Sequence, residues 1–205
     1  MPLFFQQTHF VITVAELKGL PDYSLPEIAF VGRSNAGKSS TINTLTHQNR
    51  LAFISKMPGR TQHLNFFEII RQKQAVGHLV DLPGYGYAKM SKTVNKTWDG
   101  FLGTYLLTRT QLRGLVIVMD SRHPMTDLDK KMILWFSQCK KPIYIVLTKS
   151  DKLNNIEKHK ALKVCQEKLN LLNLDKSIDI ELQLFSSLKK KGIEDLSHKL
   201  QNWLA

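Results

Sequence analysis

One segment of the sequence has the residue types and the spacing of a phosphate-binding loop. It follows the pattern G-x-x-x-x-G-K-[ST] through Gly32, Arg33, Ser34, Asn35, Ala36, Gly37, Lys38 and Ser39. Glycines let the backbone wrap closely around phosphate, and successive N–H groups form an anion nest at a helix N-terminus. The lysine can neutralise the β- and γ-phosphates, and the hydroxyl that follows can bind Mg²⁺. The segment therefore predicts a nucleotide site, with a Gly-rich turn that holds no ligand as the alternative.

A second segment, Asp81-Leu82-Pro83-Gly84, ends an apolar run that is typical of a buried strand. At this distance from a phosphate loop, the Asp81 carboxylate can hold Mg²⁺ through water, and the Gly84 N–H can contact the γ-phosphate. The pattern D-x-x-G is weak on its own and gains weight from its place after a strand. We therefore expect Lys38 and Gly84 to act in catalysis, and Ser39 and Asp81 to bind the metal.

A third segment, Thr148-Lys149-Ser150-Asp151, closes the apolar run PIYIVLT and distinguishes guanine from adenine. A carboxylate at this place can accept two hydrogen bonds from the N1–H and N2–H₂ groups of guanine, and the Lys149 stem can cover the base. Such a site rejects a wrong base by roughly 10⁴-fold, because the buried carboxylate would lose its partners. Phe185-Ser186-Ser187 ends the next strand, where small residues let backbone amides reach the base. The segments together predict a site for GTP and GDP.

Alternating strands and helices are predicted around these segments. Apolar runs predict strands over 27–32, 64–70, 75–82, 114–120, 142–148 and 180–186, with a weaker one at 9–13, and helices are expected near 37–47, 92–108, 126–138, 156–170 and 191–203. Near-continuous apolar strands separated by helices indicate a parallel sheet that is covered on both faces. The connection RQKQ is too short for a crossover helix, so 64–70 and 75–82 must pair antiparallel at an edge. The prediction is an α/β three-layer sandwich of the P-loop NTPase type.

Composition restricts the remaining possibilities. The 205 residues fit one domain, with residues 1–25 as an N-terminal extension packed on it. No run reaches the ~18 apolar residues of a membrane span, no basic region opens a secretory signal, and the two cysteines lack metal-type spacing. A reduced, cytosolic compartment is therefore expected, and the protein is also expected to be a monomer. Between residues 33 and 113 there are twelve basic and three acidic residues, which suggests a polyanionic partner, although solubility charge is an equal alternative.

The whole set of motifs closely resembles the EngB family of small bacterial GTPases, in the TrmE-Era-EngA-EngB-Septin-like group. The resemblance rests on LPEIAFVGRSNAGKSSTINTL, PGRTQHLNFF, DLPGYGYAKMSK, DSRHPMTDLD, TKSDKL and FSSLKKKG, and it spans nearly the whole chain. It implies a single Ras-like G domain that acts in assembly of the large ribosomal subunit, through rRNA or ribosomal proteins, and that is needed for cell division and septation.

The resemblance also assigns roles to residues that spacing alone does not. In Gly59-Arg60-Thr61-Gln62-His63, Thr61 corresponds to the switch I threonine that completes Mg²⁺ coordination and takes part in catalysis. Many other GTPases begin the base motif with Asn, where this chain has Thr148. Related GTPases use an Asn at the position of Asn35 to bind K⁺, and a local loop-capping role for Asn35 is the alternative.

The residue after Gly84 departs from the Ras pattern, in which a Gln orients the attacking water. This chain has Tyr85 there, so the sequence identifies no catalytic base, and slow GTP hydrolysis is expected. Switch II, residues 85–92, combines aromatic and basic residues that suit RNA, although core packing explains a tyrosine equally well. A GTP-binding scaffold of cell division and a P-loop kinase for a small metabolite are the competing interpretations.

Overall fold

The computed structural model of the protein describes residues 4–52, 63–85 and 100–205. Seven strands form one sheet in the order β1-β3-β4-β2-β5-β6-β7. Their bounds are β1 Thr8–Val14, β2 Glu27–Gly32, β3 Leu64–Arg71, β4 Gln74–Asp81, β5 Leu112–Asp120, β6 Ile143–Thr148 and β7 Ile180–Leu184. The pairs from β4 to β7 are parallel, whereas β3 is antiparallel to both β4 and β1. The mostly parallel sheet with its antiparallel side is confirmed.

Five helices lie in the described part of the chain. They are α1 Lys38–Leu45, α2 Phe101–Thr108, α3 Asp127–Ser137, α4 Asn155–Asn170 and α5 Ile193–Leu204. Short 3₁₀ turns cover Leu17–Gly19 and Ser150–Lys152. The helix expected near 92–108 is observed from Phe101 onward, and its earlier part lies outside the described residues. The helix expected at 191 begins at Ile193, because Gly192 has a positive φ of 78°.

Helices cover both faces of the sheet, as the three-layer prediction requires. In β2, Ile28 and Phe30 point to one core, whereas Ala29 and Val31 point to the other. The first core also holds residues of α1 and α5, and the second holds residues of α2, α3 and α4. All residues of β2 and β6 are buried, which explains why their sequences read as continuous apolar runs. Each such Val, Leu, Ile or Phe contributes roughly 1.5–3 kcal/mol on burial.

The N-terminal strand differs from the buried central strands. The five residues 9–13 of β1 are all exposed, although three of them are the apolar residues Phe10, Val11 and Ile12. β1 pairs with the outer side of β3, with a bulge between Phe10 and Ile12. The antiparallel β3–β4 pair therefore lies one strand inside the edge. The carboxyl ends of the parallel strands lie together at one end of the sheet. This is the end at which ligands bind in open α/β sheets.

Candidate nucleotide site

The predicted phosphate loop joins the carboxyl end of β2 to the first turn of α1. Gly32 ends the strand and Lys38 begins the helix. Asn35 and Gly37 have positive φ values of 64° and 100°, and the Ala36 N–H closes a turn on the Arg33 carbonyl oxygen at 3.0 Å. A β-carbon at Gly32 would come within 2.6 Å of the Val118 carbonyl oxygen. The loop therefore has a curled backbone at a helix N-terminus, which is the geometry that binds phosphate.

The second predicted segment lies beside this loop. The Lys38 ammonium contacts the Asp81 carboxylate, and both side chains are largely buried. Asp81 is the last residue of β4. The Tyr85 N–H donates to the Gly32 carbonyl oxygen at 3.2 Å, so the chain after Asp81 runs along the start of the phosphate loop. The structure thus brings together the lysine and the acidic residue that the sequence assigned to phosphate and metal.

The third predicted segment is bonded directly to the phosphate loop. The Thr148 hydroxyl donates to the Ala36 carbonyl oxygen and also lies 3.0 Å from the Met119 carbonyl oxygen. The Lys149 ammonium donates to the Asn35 carbonyl oxygen at 2.7 Å. Two consecutive side chains therefore bond two loops to each other. One is the loop that would bind the base, and the other is the loop that would bind the phosphates.

Asp120, which sequence reasoning did not assign to the site, supports Lys149. Its Oδ2 atom lies 2.9 Å from the Lys149 ammonium and 2.6 Å from Nη2 of Arg122. Burial alone would raise the pKa of Asp120, but hydrogen bonds from Arg122 and Lys149 hold it well below its usual range. The available signal was a carboxylate at the end of the apolar strand GLVIVMD, a position that the sheet pairs with Thr148.

The predicted base-reading residues form a small pocket at the ends of β6 and β7. Ser186 donates to Asp151 Oδ1 at 2.6 Å, and this hydrogen bond lowers the pKa of the Asp151 carboxyl group. The Ser150 N–H donates to the Phe185 carbonyl oxygen at 3.1 Å. The pocket has a volume of about 200 Å³ and is lined by Ser150, Asp151, Lys158, Ser186, Lys189 and Lys191. An ionised carboxylate held by a serine is suited to accept hydrogen bonds from a guanine edge.

Some predicted site residues direct their side chains away from this pocket. The Phe185 and Leu82 side chains are buried in the two cores, so only their backbone atoms are available to a ligand. Tyr85 is also buried, and its hydroxyl donates to Asp129 Oδ1 at 2.7 Å. The Tyr85 hydroxyl is therefore engaged by a buried carboxylate.

The predicted switch residues lie mainly outside the described part of the chain. These are Gly59, Arg60, Thr61 and Gln62 of switch I, and residues 86–92 of switch II. His63 is described, and its Nδ1 atom is buried without a hydrogen-bond partner among the described residues. No helix in the described ranges is long and apolar enough to cross a membrane.

Comparison with known proteins gives the family. The family described as "50S ribosome-binding GTPase" matches residues 27–149. A relative from Paraburkholderia phytofirmans, named "Probable GTP-binding protein EngB", is 48% identical over 205 residues, which are 100% of this chain and 94% of the relative. The protein of the same name from Dechloromonas aromatica is 51% identical over 204 residues, covering 100% of this chain and 90% of its own length.

Solved structures share the fold. A crystal structure of a probable GTP-binding protein EngB has a TM-score of 0.63 and 18% identity, and the match covers 87% of this chain and 98% of that chain. Era in complex with MgGDPNP and nucleotides 1506–1542 of 16S ribosomal RNA has a TM-score of 0.65 and 18% identity, covering 88% of this chain and 57% of Era. With relatives about half identical along its whole length, this chain belongs to the EngB family of GTP-binding proteins and is a GTP-hydrolysing enzyme.

Proposed function

We propose that this GTPase is a switch in assembly of the bacterial large ribosomal subunit, and that normal cell division and septation depend on it. The observation that carries the proposal is the match to the family described as 50S ribosome-binding GTPase. Its partner would be rRNA, ribosomal proteins or both, and the protein would act in the cytoplasm. We further propose that residues 1–205 act as a single domain and as a monomer.

In this proposal the nucleotide lies across the three joined segments. The backbone of residues 32–39 and the Lys38 ammonium hold the phosphates, and the Gly84 N–H contacts the γ-phosphate. Asp151, held by Ser186, accepts hydrogen bonds from guanine, while the Lys149 stem covers the base. The contacts of Lys38 with Asp81 and of Lys149 with Asn35 support this arrangement, because they join the same segments.

The described residues also fit Mg²⁺. The Ser39 hydroxyl and the Asp81 carboxylate are hard oxygen donors, and the contact between Lys38 and Asp81 places the start of α1 beside the end of β4. We propose that Ser39 and Asp81 hold Mg²⁺, with Thr61 as the switch I ligand that the family resemblance implies. The ion would neutralise charge on the phosphates.

We also propose that Asn35 helps to bind K⁺. Asn35 lies at the exposed part of the phosphate loop and adopts a left-handed conformation, while its carbonyl oxygen is used by Lys149. GTP turnover is then expected to be faster in K⁺ than in Na⁺. Equal turnover in the two salts, both with and without ribosomal particles, would remove K⁺ from the proposal.

The excess of positive charge on the chain supports an RNA-rich partner. The chain has 29 Lys and Arg residues against 17 Asp and Glu residues. Lys189, Lys190 and Lys191 are consecutive and exposed, and two of them line the pocket that would hold the base. Neutralising phosphates with lysine releases counterions, so such binding weakens steeply as salt concentration rises.

Co-sedimentation with ribosomal particles tests the proposal. The protein is mixed with large subunits under a non-hydrolysable GTP analogue, GDP or no nucleotide, across a salt series. Binding only with the GTP analogue, and steeply weaker at high salt, is the expected result. Equal binding in all three nucleotide states would mean that the positive charge of the chain provides only a general attraction for polyanions. No binding would favour the cell-division scaffold instead.

A matched pair of variants sharpens this experiment. Changing Lys189, Lys190 and Lys191 to Gln removes three adjacent charges. Changing Lys18, Lys131 and Lys176 to Gln removes the same charge from exposed positions in separate segments. If the adjacent lysines contact RNA, the first variant binds more weakly and with a smaller salt slope than the second. Equal losses would show that only total charge matters.

A further inference from the structure

The tyrosine that follows Gly84 is joined to the start of helix α3. Tyr85 is buried, and its hydroxyl donates to Asp129 Oδ1 at 2.7 Å. The other oxygen of Asp129 accepts hydrogen bonds from the Thr126 N–H and the Thr126 hydroxyl, both at 2.7 Å. Thr126 is the N-cap of α3, and Asp129 completes its capping box. One buried carboxylate therefore links Tyr85 to a helix terminus.

The backbone of Tyr85 is held from the opposite side. Its N–H donates to the Gly32 carbonyl oxygen at 3.2 Å, and Arg33 and Tyr85 form a parallel bridge. Tyr85 thus lies between the phosphate loop and α3, fixed by its backbone to the first and by its side chain to the second. Gly84 is the preceding residue, so these bonds restrict the peptide that carries the Gly84 N–H.

We propose that Tyr85 is a positioning residue for GTP: its hydrogen bond to Asp129 holds the Gly84 N–H where the γ-phosphate binds. The inference rests on the proposed contact between Gly84 and the γ-phosphate. Burial raises the pKa of Tyr85 well above its ordinary value, so the hydroxyl stays a hydrogen-bond donor. The start of α3 and the phosphate site are then coupled through a single carboxylate.

Tyr85→Phe tests the proposal, because it removes the hydroxyl and keeps the buried ring. The affinities for a non-hydrolysable GTP analogue and for GDP are measured by calorimetry, together with kcat and KM for GTP. We expect the affinity ratio of analogue to GDP to fall about tenfold, as for loss of one hydrogen bond to a charged group. GDP binding stays unchanged, because GDP has no γ-phosphate, and kcat falls more than KM rises.

Tyr105→Phe is the matched control. Tyr105 is also buried, and its hydroxyl donates to a carboxylate, Glu27 Oε2, at 2.8 Å. Glu27 begins β2, whereas Gly32 and the phosphate loop lie at its other end. The two variants lose similar hydrogen bonds, so a purely structural role predicts similar losses of stability and no change in the affinity ratio for either. A changed ratio in both variants, or in neither, would overturn the proposal.

Two further variants separate the possible failures. Gly84→Ala adds a methyl group beside the Gly32 carbonyl oxygen and tests the γ-phosphate contact itself. If Gly84→Ala alters the ratio and Tyr85→Phe does not, the role of Tyr85 is wrong and that of Gly84 stands. If neither alters it, the proposed contact of Gly84 fails as well. Asp129→Ala removes the acceptor of the Tyr85 hydroxyl altogether and must reproduce the effect where Tyr85→Phe folds poorly.

Discussion

Thr148 bonds the proposed base-binding loop to the proposed phosphate loop through one hydroxyl group. Its Oγ1 donates to the Ala36 carbonyl oxygen, and the side chain is almost fully buried. Many GTPases have Asn at this position of the motif, and the contacts made by a Thr there could not be assigned from the sequence. The structure assigns them, and they show that the two loops form one hydrogen-bonded unit.

Thr148→Val is expected to loosen this unit. Valine has nearly the same shape but no hydroxyl, so the Ala36 carbonyl oxygen loses its donor at a cost of about 1–3 kcal/mol. Urea denaturation should show the loss of stability, and a GDP titration should show weaker binding. Thr148→Ser keeps the hydroxyl and serves as the control. Equal behaviour of the two variants would mean that the hydroxyl has no such role.

Asp151→Asn is expected to change base specificity. The amide that replaces one carboxylate oxygen cannot accept both hydrogen bonds from guanine, but it can donate to the extra carbonyl group of xanthine. GTP affinity should fall about 10²-fold or more, and xanthosine triphosphate should bind better than it does to the unchanged protein. Asp127→Asn changes an exposed carboxylate at the start of α3 and is the control. Unchanged GTP affinity in the Asp151 variant would refute the proposed base site.

The sequence was most informative about segments in which a short motif directly follows a buried strand. Strands β2 and β6 were recognisable because both of their faces are buried, and the proposed phosphate loop stands out because its glycines and lysine have fixed spacing. The segments after β4 and β6 were recognisable because short polar motifs follow apolar runs. Family membership confirms the GTPase interpretation over that of a small-molecule kinase.

Contacts between distant residues could not be read from the sequence. Tyr85 and Asp129 are 44 positions apart, and Asp120 and Lys149 are 29 apart, so only the folded sheet brings them together. Phe185 shows the opposite case, because its place in the motif suggested the ligand site while its ring belongs to the core. Local pattern therefore indicated which segments could form the site, but not the side chains that support those segments.

A buried ion pair near the N-terminal end of β2 is expected to be important for stability. Glu27 is fully buried and accepts from Arg109 Nη2 at 2.6 Å and from Tyr105 at 2.8 Å. Arg109→Leu leaves the carboxylate without its charged partner, so the free energy of unfolding should fall by about 3–5 kcal/mol. Arg122→Leu removes an exposed partner of Asp120 and should cost far less, as urea denaturation would show. The double change Glu27→Gln with Arg109→Leu should recover part of the loss.

Stability is expected to fall as the solution is acidified through the ordinary pKa of histidine, because His78 is buried in its neutral form. Its ring stacks on Tyr23 with centroids 4.1 Å apart, and Nε2 lies 3.6 Å from Glu68 Oε1. Burial, aided by the charges of Arg109 and His9, lowers the pKa of His78 from 6.5 to about 4. Between these values the unfolded chain binds a proton that the folded chain does not. Unfolding free energy therefore decreases as pH falls, by at most about 1.4 kcal/mol per pH unit.

His78→Phe keeps an aromatic ring against Tyr23 and removes the titrating group. Urea denaturation between pH 6.5 and pH 5 should show a smaller loss of stability for this variant than for the unchanged protein. His159→Gln removes an exposed histidine ring instead of a buried one and is the matched control, which should leave the slope unaltered. If the unfolding free energy of the His78→Phe variant falls with pH as steeply as that of the unchanged protein, a different group controls the acid sensitivity.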